Sequence, residues 1–103
     1  MKKDNVLNYF VYRIREQLGD HLKQIILFGS RARGDEVESS DYDCLVVVHD
    51  VSSTIKDIID EAAGDTLYQY DAVISAIIIT EEKFQHSIYN PLLMNIAREG
   101  VAL

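Results

Sequence analysis

Val6, Leu7, Phe10, Val11, Ile14 and Leu18 recur at spacings of three and four among polar and charged positions. That period predicts an amphipathic helix from about Asp4 to Leu18, stopped near Gly19. The pattern then changes to Ile25-Ile26-Leu27-Phe28, an unbroken apolar run ended by Gly29, as expected of a strand buried on both faces. Gly29-Ser30-Arg31-Ala32-Arg33-Gly34 predicts a tight turn, about one helical turn and a stop. Asp35 to Ser40 is polar and reads as a surface loop. Asp41-Tyr42-Asp43-Cys44-Leu45-Val46-Val47-Val48 begins polar and becomes wholly apolar, which predicts a second core strand.

Ser52 and Ser53 can cap a helix that buries Ile55, Ile58, Ile59, Ala62 and Ala63 and stops at Gly64. A third strand is expected from about Tyr70 to Ile79, and Thr80 then caps a short helix with Glu81 and Glu82 in its first turn. Asn90-Pro91 opens the last helix, in which Leu92, Leu93, Ile96 and Ala97 form the buried stripe and Gly100 the stop. No repeat, low-complexity tract or linker interrupts residues 1–103, so the chain reads as one domain. The alternation of elements predicts a small sheet with helices packed on it.

Charge narrows the choice of partner. Seventeen acidic against ten basic side chains give a formal charge of -7, a field that repels long nucleic acid and membrane surfaces. A small polyanion bound here needs local help from metal ions, a helix terminus or a few arginines. No apolar run approaches the ~20 residues that cross a bilayer, and residues 1–5 are not followed by a signal-peptide core, so a cytoplasmic location is expected. The single cysteine, Cys44, forms no internal disulfide, in keeping with a reducing compartment.

Three pieces carry candidate chemistry: the Gly29-Ser30 turn after the first strand, the Asp41-x-Asp43 pair at the head of the second, and Asp71 near the head of the third. With ten aspartates among 103 residues, chance supplies about one Asp-x-Asp; a Gly-Ser at a set spacing before it lowers that to about three in a thousand. On a strand, residues two apart share a face at roughly 6.5–7 Å, so the pair would aim two carboxylates at one point. That suits magnesium, which is usually held by one or two carboxylates plus substrate phosphates. Ser30 and the amides after it would receive outer phosphates, with Arg31 and Arg33 as added positive charge. Cys44 alternates with Asp43 and should face away, into the core.

Other motifs fail. Gly29 to Gly34 has Walker-loop glycine spacing, but Asp35-Glu36 stand where lysine and a hydroxyl are needed. No Gly-x-Gly-x-x-Gly follows a strand, the three histidines are isolated and suggest no hydrolase triad, and the acidic pair and lysine of a phosphoacceptor receiver are missing from the expected strand ends.

Gly29-Ser30, ten residues, then Asp41-Tyr42-Asp43 and an apolar strand resembles the signature of the DNA polymerase β-like nucleotidyltransferase superfamily. Gly29-Ser30-Arg31-Ala32-Arg33-Gly34 and the Asn90 to Gly100 stretch are similar to its minimal members. The resemblance implies an α+β fold with a small mixed sheet flanked by helices. It implies triphosphate binding by Gly29 and Ser30, and two magnesium ions on Asp41 and Asp43. It implies a helical HEPN-type partner, for which such a chain serves either as substrate-binding complement or as an antitoxin that transfers AMP from ATP to it. Larger members carry a third carboxylate on a later strand; Asp71 is the candidate here, and Ser75 could take that position instead, leaving a site that binds nucleotide and turns it over slowly. The expected activity is magnesium-dependent nucleotidyl transfer to a hydroxyl of a partner protein. The rival reading is a nucleotide-binding module that neutralises a helical partner by complex formation alone. The isoleucine-rich third strand reads either as a covered central strand or as an edge that pairs with another chain, which would make a homo-oligomer.

Overall fold

The computed structural model describes residues 4–35, 37, 40–87 and 89–103. Three positions of the expected polar loop, Glu36, Glu38 and Ser39, lie outside the described residues. Helix α1 (Asn5–Leu18) is capped by Asp4, whose carboxylate accepts from the Leu7 amide, and ends at Gly19. A 3-10 turn leads into β1 (Leu22–Phe28), then α2 (Ser30–Arg33), β2 (Tyr42–Val48), α3 (Ser53–Tyr70), β3 (Ile74–Thr80), α4 (Glu81–Gln85), α5 (Pro91–Glu99) and β4 (Val101–Ala102). The sheet runs β3-β2-β1-β4. β1 is antiparallel to β2 and to β4, while β2 and β3 are parallel. This is a mixed sheet of α+β type, as expected.

Strand alternation divides the core in two. Ile25, Leu27, Tyr42, Cys44, Val46, Val48 and Ile74 turn toward α1 and α3, where Leu7, Phe10, Ile14, Ile55 and Ile59 meet them. Ile26, Leu45 and Val47 turn the other way, against Leu93 and Ile96 of α5 with Phe28, Ile79 and Phe84 at the margin. Asp43 has the parity of Leu45 and Val47 and so belongs to the α5 face, opposite Cys44. Burial and the neighbouring Asp43 charge push the Cys44 thiol up to about 12.

Four expectations need correction. The helix that was to stop at Gly64 continues to Tyr70. Its buried stripe of Ile55, Ile59 and Ala62 extends one turn further through Thr66, whose hydroxyl donates to the Ala62 carbonyl at 2.8 Å. Packing along that stripe outweighs the ~1 kcal/mol that glycine costs a helix interior. The third strand therefore starts at Ile74 rather than Tyr70. The first strand begins earlier than expected, at Leu22, because pairing along β2 draws in the polar Lys23 and Gln24 with a register irregularity. In α5, Leu93 and Ile96 are buried, but Leu92 and Ala97 are exposed; a single-sided contact with the sheet needs only a narrow stripe. The two-residue β4 was not foreseen, because its length leaves no periodicity to read.

Candidate active site

The site forms where β1 ends and β2 begins. Phe28, the last residue of β1, pairs with Asp43. The next residue, Gly29, has φ 77° and ψ -157°, a conformation open almost only to glycine. The turn lays its backbone directly against the Asp43 side chain: a Cβ on Gly29 would stand 3.2 Å from the carboxyl carbon and well inside van der Waals contact with Oδ2. Gly29 is thus required twice, by its backbone angles and by the carboxylate it accommodates. The amides of Ala32 and Arg33 both donate to the Gly29 carbonyl at 3.1 Å, which starts α2 at Ser30, and Gly34 closes it in a left-handed conformation at φ 81°.

Asp41 immediately precedes β2 and is exposed, whereas Asp43 is partly buried. Asp43 is held above the usual carboxylate range, first by loss of hydration and then by the Asp41 charge, with Arg33 acting in the opposite direction. Two acids repel each other here and a cation nearby relieves them. That donor chemistry fits a hard divalent ion with open positions for water and phosphate oxygens. The Arg33 guanidinium is half-exposed and also bonds Asp35 at 3.3 Å, the surface pairing expected of such an arginine.

Asp71 does not open the third strand as the sequence led one to expect. It ends α3 as a cap in the left-handed conformation, φ 52°, its amide donating to the Leu67 carbonyl. Two residues, Ala72 and Val73, separate it from the start of β3. It lines a cavity of about 770 Å³ together with Asp41, Arg31, Tyr70 and Val6. Yet among the described residues no three acidic, histidine or cysteine groups converge as a metal site. The parallel register instead sets Ser75 beside Asp43. The overlong α3 is the cause, since it consumes Tyr70 and Asp71 before the strand begins.

Arg31 is engaged within the protein. Its guanidinium lies 3.8 Å from the centre of the Tyr42 ring, and its Nε donates to the Ser40 carbonyl at 2.9 Å. The buried Tyr42 in turn donates its hydroxyl to Asp4 at 3.2 Å. Sequence reasoning did not single out Tyr42 from the other tyrosines. Its place between the two aspartates, with core parity on its strand, was the available signal.

A family profile described as "Nucleotidyltransferase domain" matches residues 10–101. The chain belongs to the nucleotidyltransferase family. An inferred protein adenylyltransferase of Methanocaldococcus jannaschii is 36% identical to this nucleotidyltransferase over 103 residues, covering 100% of this chain and 99% of the relative. One chain of a toxin–antitoxin complex with AMP-PNP superposes with a TM-score of 0.65 at 19% identity, over 96% of this chain and 72% of that one. A chain from the complex of a tri-AMPylated Shewanella oneidensis HEPN toxin with its MNT antitoxin gives 0.60 at 18% identity, over 94% and 67% respectively. At these identities the solved structures speak for the shared fold. Among the described residues of the nucleotidyltransferase, no helix is long and apolar enough to cross a membrane.

Proposed function

We propose that the protein moves AMP from ATP to a hydroxyl group of a helical partner protein of HEPN type, as the antitoxin of a pair. The observation that carries this reading is the Gly29 turn seated on the Asp43 carboxylate, with Asp41 two residues before it. Such a site brings a phosphate-receiving turn and a metal-receiving acid pair together. The full-length match to the Methanocaldococcus jannaschii relative supports adenylyl transfer as the chemistry, and the fold shared with chains of toxin–antitoxin complexes supports the partner class.

Asp41 and Asp43 would hold magnesium, which supplies charge neutralisation at the α-phosphate and a lowered pKa for the incoming hydroxyl. Gly29 and Ser30 position the β- and γ-phosphates, and Arg33 offsets the charge that builds on them. The hydroxyl oxygen bonds to the α-phosphorus as the bond from that phosphorus to the bridging oxygen breaks. Pyrophosphate leaves with the electron pair, and the hydroxyl proton passes to solvent or a base on the partner. Turnover needs the acceptor to be presented in line, which the partner's surface provides.

The test is co-expression with the genomic neighbour, purification, addition of ATP and magnesium, and intact-mass measurement of the partner. Gain of one or more AMP units by wild type, and none with Asp43→Asn, is expected. The binding-module reading is favoured by one observation, Ser75 in the register position beside Asp43. An unmodified partner that is still neutralised by both proteins would select it.

A further inference from the structure

We infer that Arg31 is a positioning residue which fixes the two-aspartate segment to the phosphate turn, rather than a ligand of the phosphates; the inference rests on the metal-binding role proposed for Asp41 and Asp43. Arg31 follows Ser30 directly and begins the clamp from within α2. From there it grips both sides of Asp41. Its Nε takes the carbonyl of Ser40, the residue before, and its guanidinium plane covers the ring of Tyr42, the residue after. Tyr42 is only 6% exposed and is anchored at its far end by Asp4. The other oxygen of Asp4 caps α1 through the Leu7 amide at 3.0 Å.

A continuous tie therefore runs from the helix cap through Tyr42 and Arg31 to the turn. Its need is clear from the local backbone. Asp41 lies just outside β2, so the sheet ladder does not hold it, while Asp43 within β2 is held by pairing to both β1 and β3. Two ligands fixed by unequal means hold one ion well only if the looser one is restrained from elsewhere. Lysine cannot replace this arginine, because it lacks the planar group that stacks on the ring while Nε bonds a carbonyl.

Charge and position predict opposite signs. Removing a cation beside two carboxylates should tighten divalent-ion binding if Arg31 acts only through its field. Removing a clamp should weaken it. Manganese affinity of the isolated chain, measured by calorimetry without nucleotide or partner, separates them. Arg31→Ala, Arg31→Lys and Tyr42→Leu are each expected to weaken manganese binding about tenfold, the range typical when the support of a metal ligand is lost. Tyr42→Phe keeps the ring under Arg31 and loses only the anchor to Asp4, so it should weaken manganese binding less than Tyr42→Leu or Arg31→Lys while melting below wild type. The Arg31→Ala, Tyr42→Leu double variant should be no weaker than the worse single one.

Tighter binding by Arg31→Ala, wild-type binding by Arg31→Lys, or additive losses would overturn the inference. Should Arg31→Ala or Tyr42→Leu fail to fold by circular dichroism, the comparison of Arg31→Lys with Tyr42→Phe decides alone. Wild type that binds no manganese and transfers no AMP removes the proposed function and this inference together; wild type that binds it, with Arg31→Lys unaffected, removes only this inference.

Discussion

Gly29→Ala is the sharpest perturbation of the site, because it separates backbone strain from collision with a functional group. The added methyl forces a residue with φ 77° and ψ -157° into a region that costs a non-glycine residue about 1–3 kcal/mol. It also meets the Asp43 carboxylate, with the carboxyl carbon at 3.2 Å and the side-chain Cβ at 3.4 Å. Forcing those atoms apart adds about 1–3 kcal/mol of overpacking. Gly34 is the control: it too has a positive φ, 81°, but a Cβ there meets nothing within 4 Å, so Gly34→Ala carries strain alone. Melting by circular dichroism should place Gly29→Ala below Gly34→Ala by at least about 4 °C, given ~4–8 °C per kcal/mol for a domain of this size. Manganese binding should fall at least about tenfold in Gly29→Ala, from displacement of the carboxylate, and stay within about twofold of wild type in Gly34→Ala. Trimming the obstacle tests the cause. Asp43→Ala placed in the Gly29→Ala background should restore the collision part of the stability loss, leaving the double variant more stable than Gly29→Ala. Equal melting of the two glycine variants, wild-type metal affinity in Gly29→Ala, or strictly additive effects with Asp43→Ala would refute the close approach as the reason for glycine.

Asp43→Asn should abolish AMP transfer while raising the melting temperature of the ion-free protein at neutral pH by about 1–4 °C. The sign follows from Asp43 lying above the usual carboxylate range. The folded state holds a proton that the unfolded state has already released, so this group's effect is to lower stability as pH rises from the ordinary carboxylate value through the raised one. A melting-temperature profile against pH should lose that fall in Asp43→Asn. The same shift predicts that manganese binding by wild type weakens on acidification at a higher pH than an unperturbed aspartate would give, measurable by titration calorimetry at several pH values. Gly100→Ala should lower stability by about 1–3 kcal/mol, since a Cβ there would stand 2.5 Å from the Ile96 carbonyl and collide with the Ile26 side chain; chemical denaturation checks it. Asp71→Gly should raise the melting temperature by a few degrees by relieving the φ of 52°, with manganese affinity unchanged within about twofold; a tenfold loss of affinity would make Asp71 a metal ligand.

How much of this was legible in the chain depended on the kind of signal. The caps were readable because they are local: Asn90 accepts from the Leu93 amide and Thr80 from that of Lys83, where polar side chains precede apolar runs. The site's first half was readable for a similar reason. Gly29 ends an apolar run, and two aspartates two apart begin another, so turn and strand geometry follow from sequence spacing. The end of α3 was not readable, because Gly64 is a local stop that a buried stripe overrules, and the decisive packing of Ile59, Ala62 and Thr66 is tertiary. That single misplacement carried Asp71 from strand to helix cap. The role of Tyr42 was hidden too, since its cation–π contact with Arg31 depends on how the start of β2 comes to lie against the Arg31 side chain.

The consequence of Ser75 lying beside Asp43 reaches to the chemistry itself. A third carboxylate at that position would add a like charge to a pair in which Asp43 is already pushed up by loss of hydration and then by Asp41, and the ion-free fold would bear the added repulsion. Serine avoids that cost and gives up a base. A hydroxyl acceptor then has two remaining ways to lose its proton: a bound divalent ion that lowers its pKa, or a basic group delivered with the acceptor. If the second route operates, the rate belongs to the complex rather than to this chain. ATP-dependent transfer should then be slow to a free tyrosine or serine peptide and fast to the intact partner, with a kcat that follows a titrating group absent from the isolated chain. Ser75→Asp separates the routes: it should speed transfer to the peptide, where a base is missing, and change transfer to the partner little. Equal acceleration toward both acceptors would place the missing base in this chain and refute the division of labour.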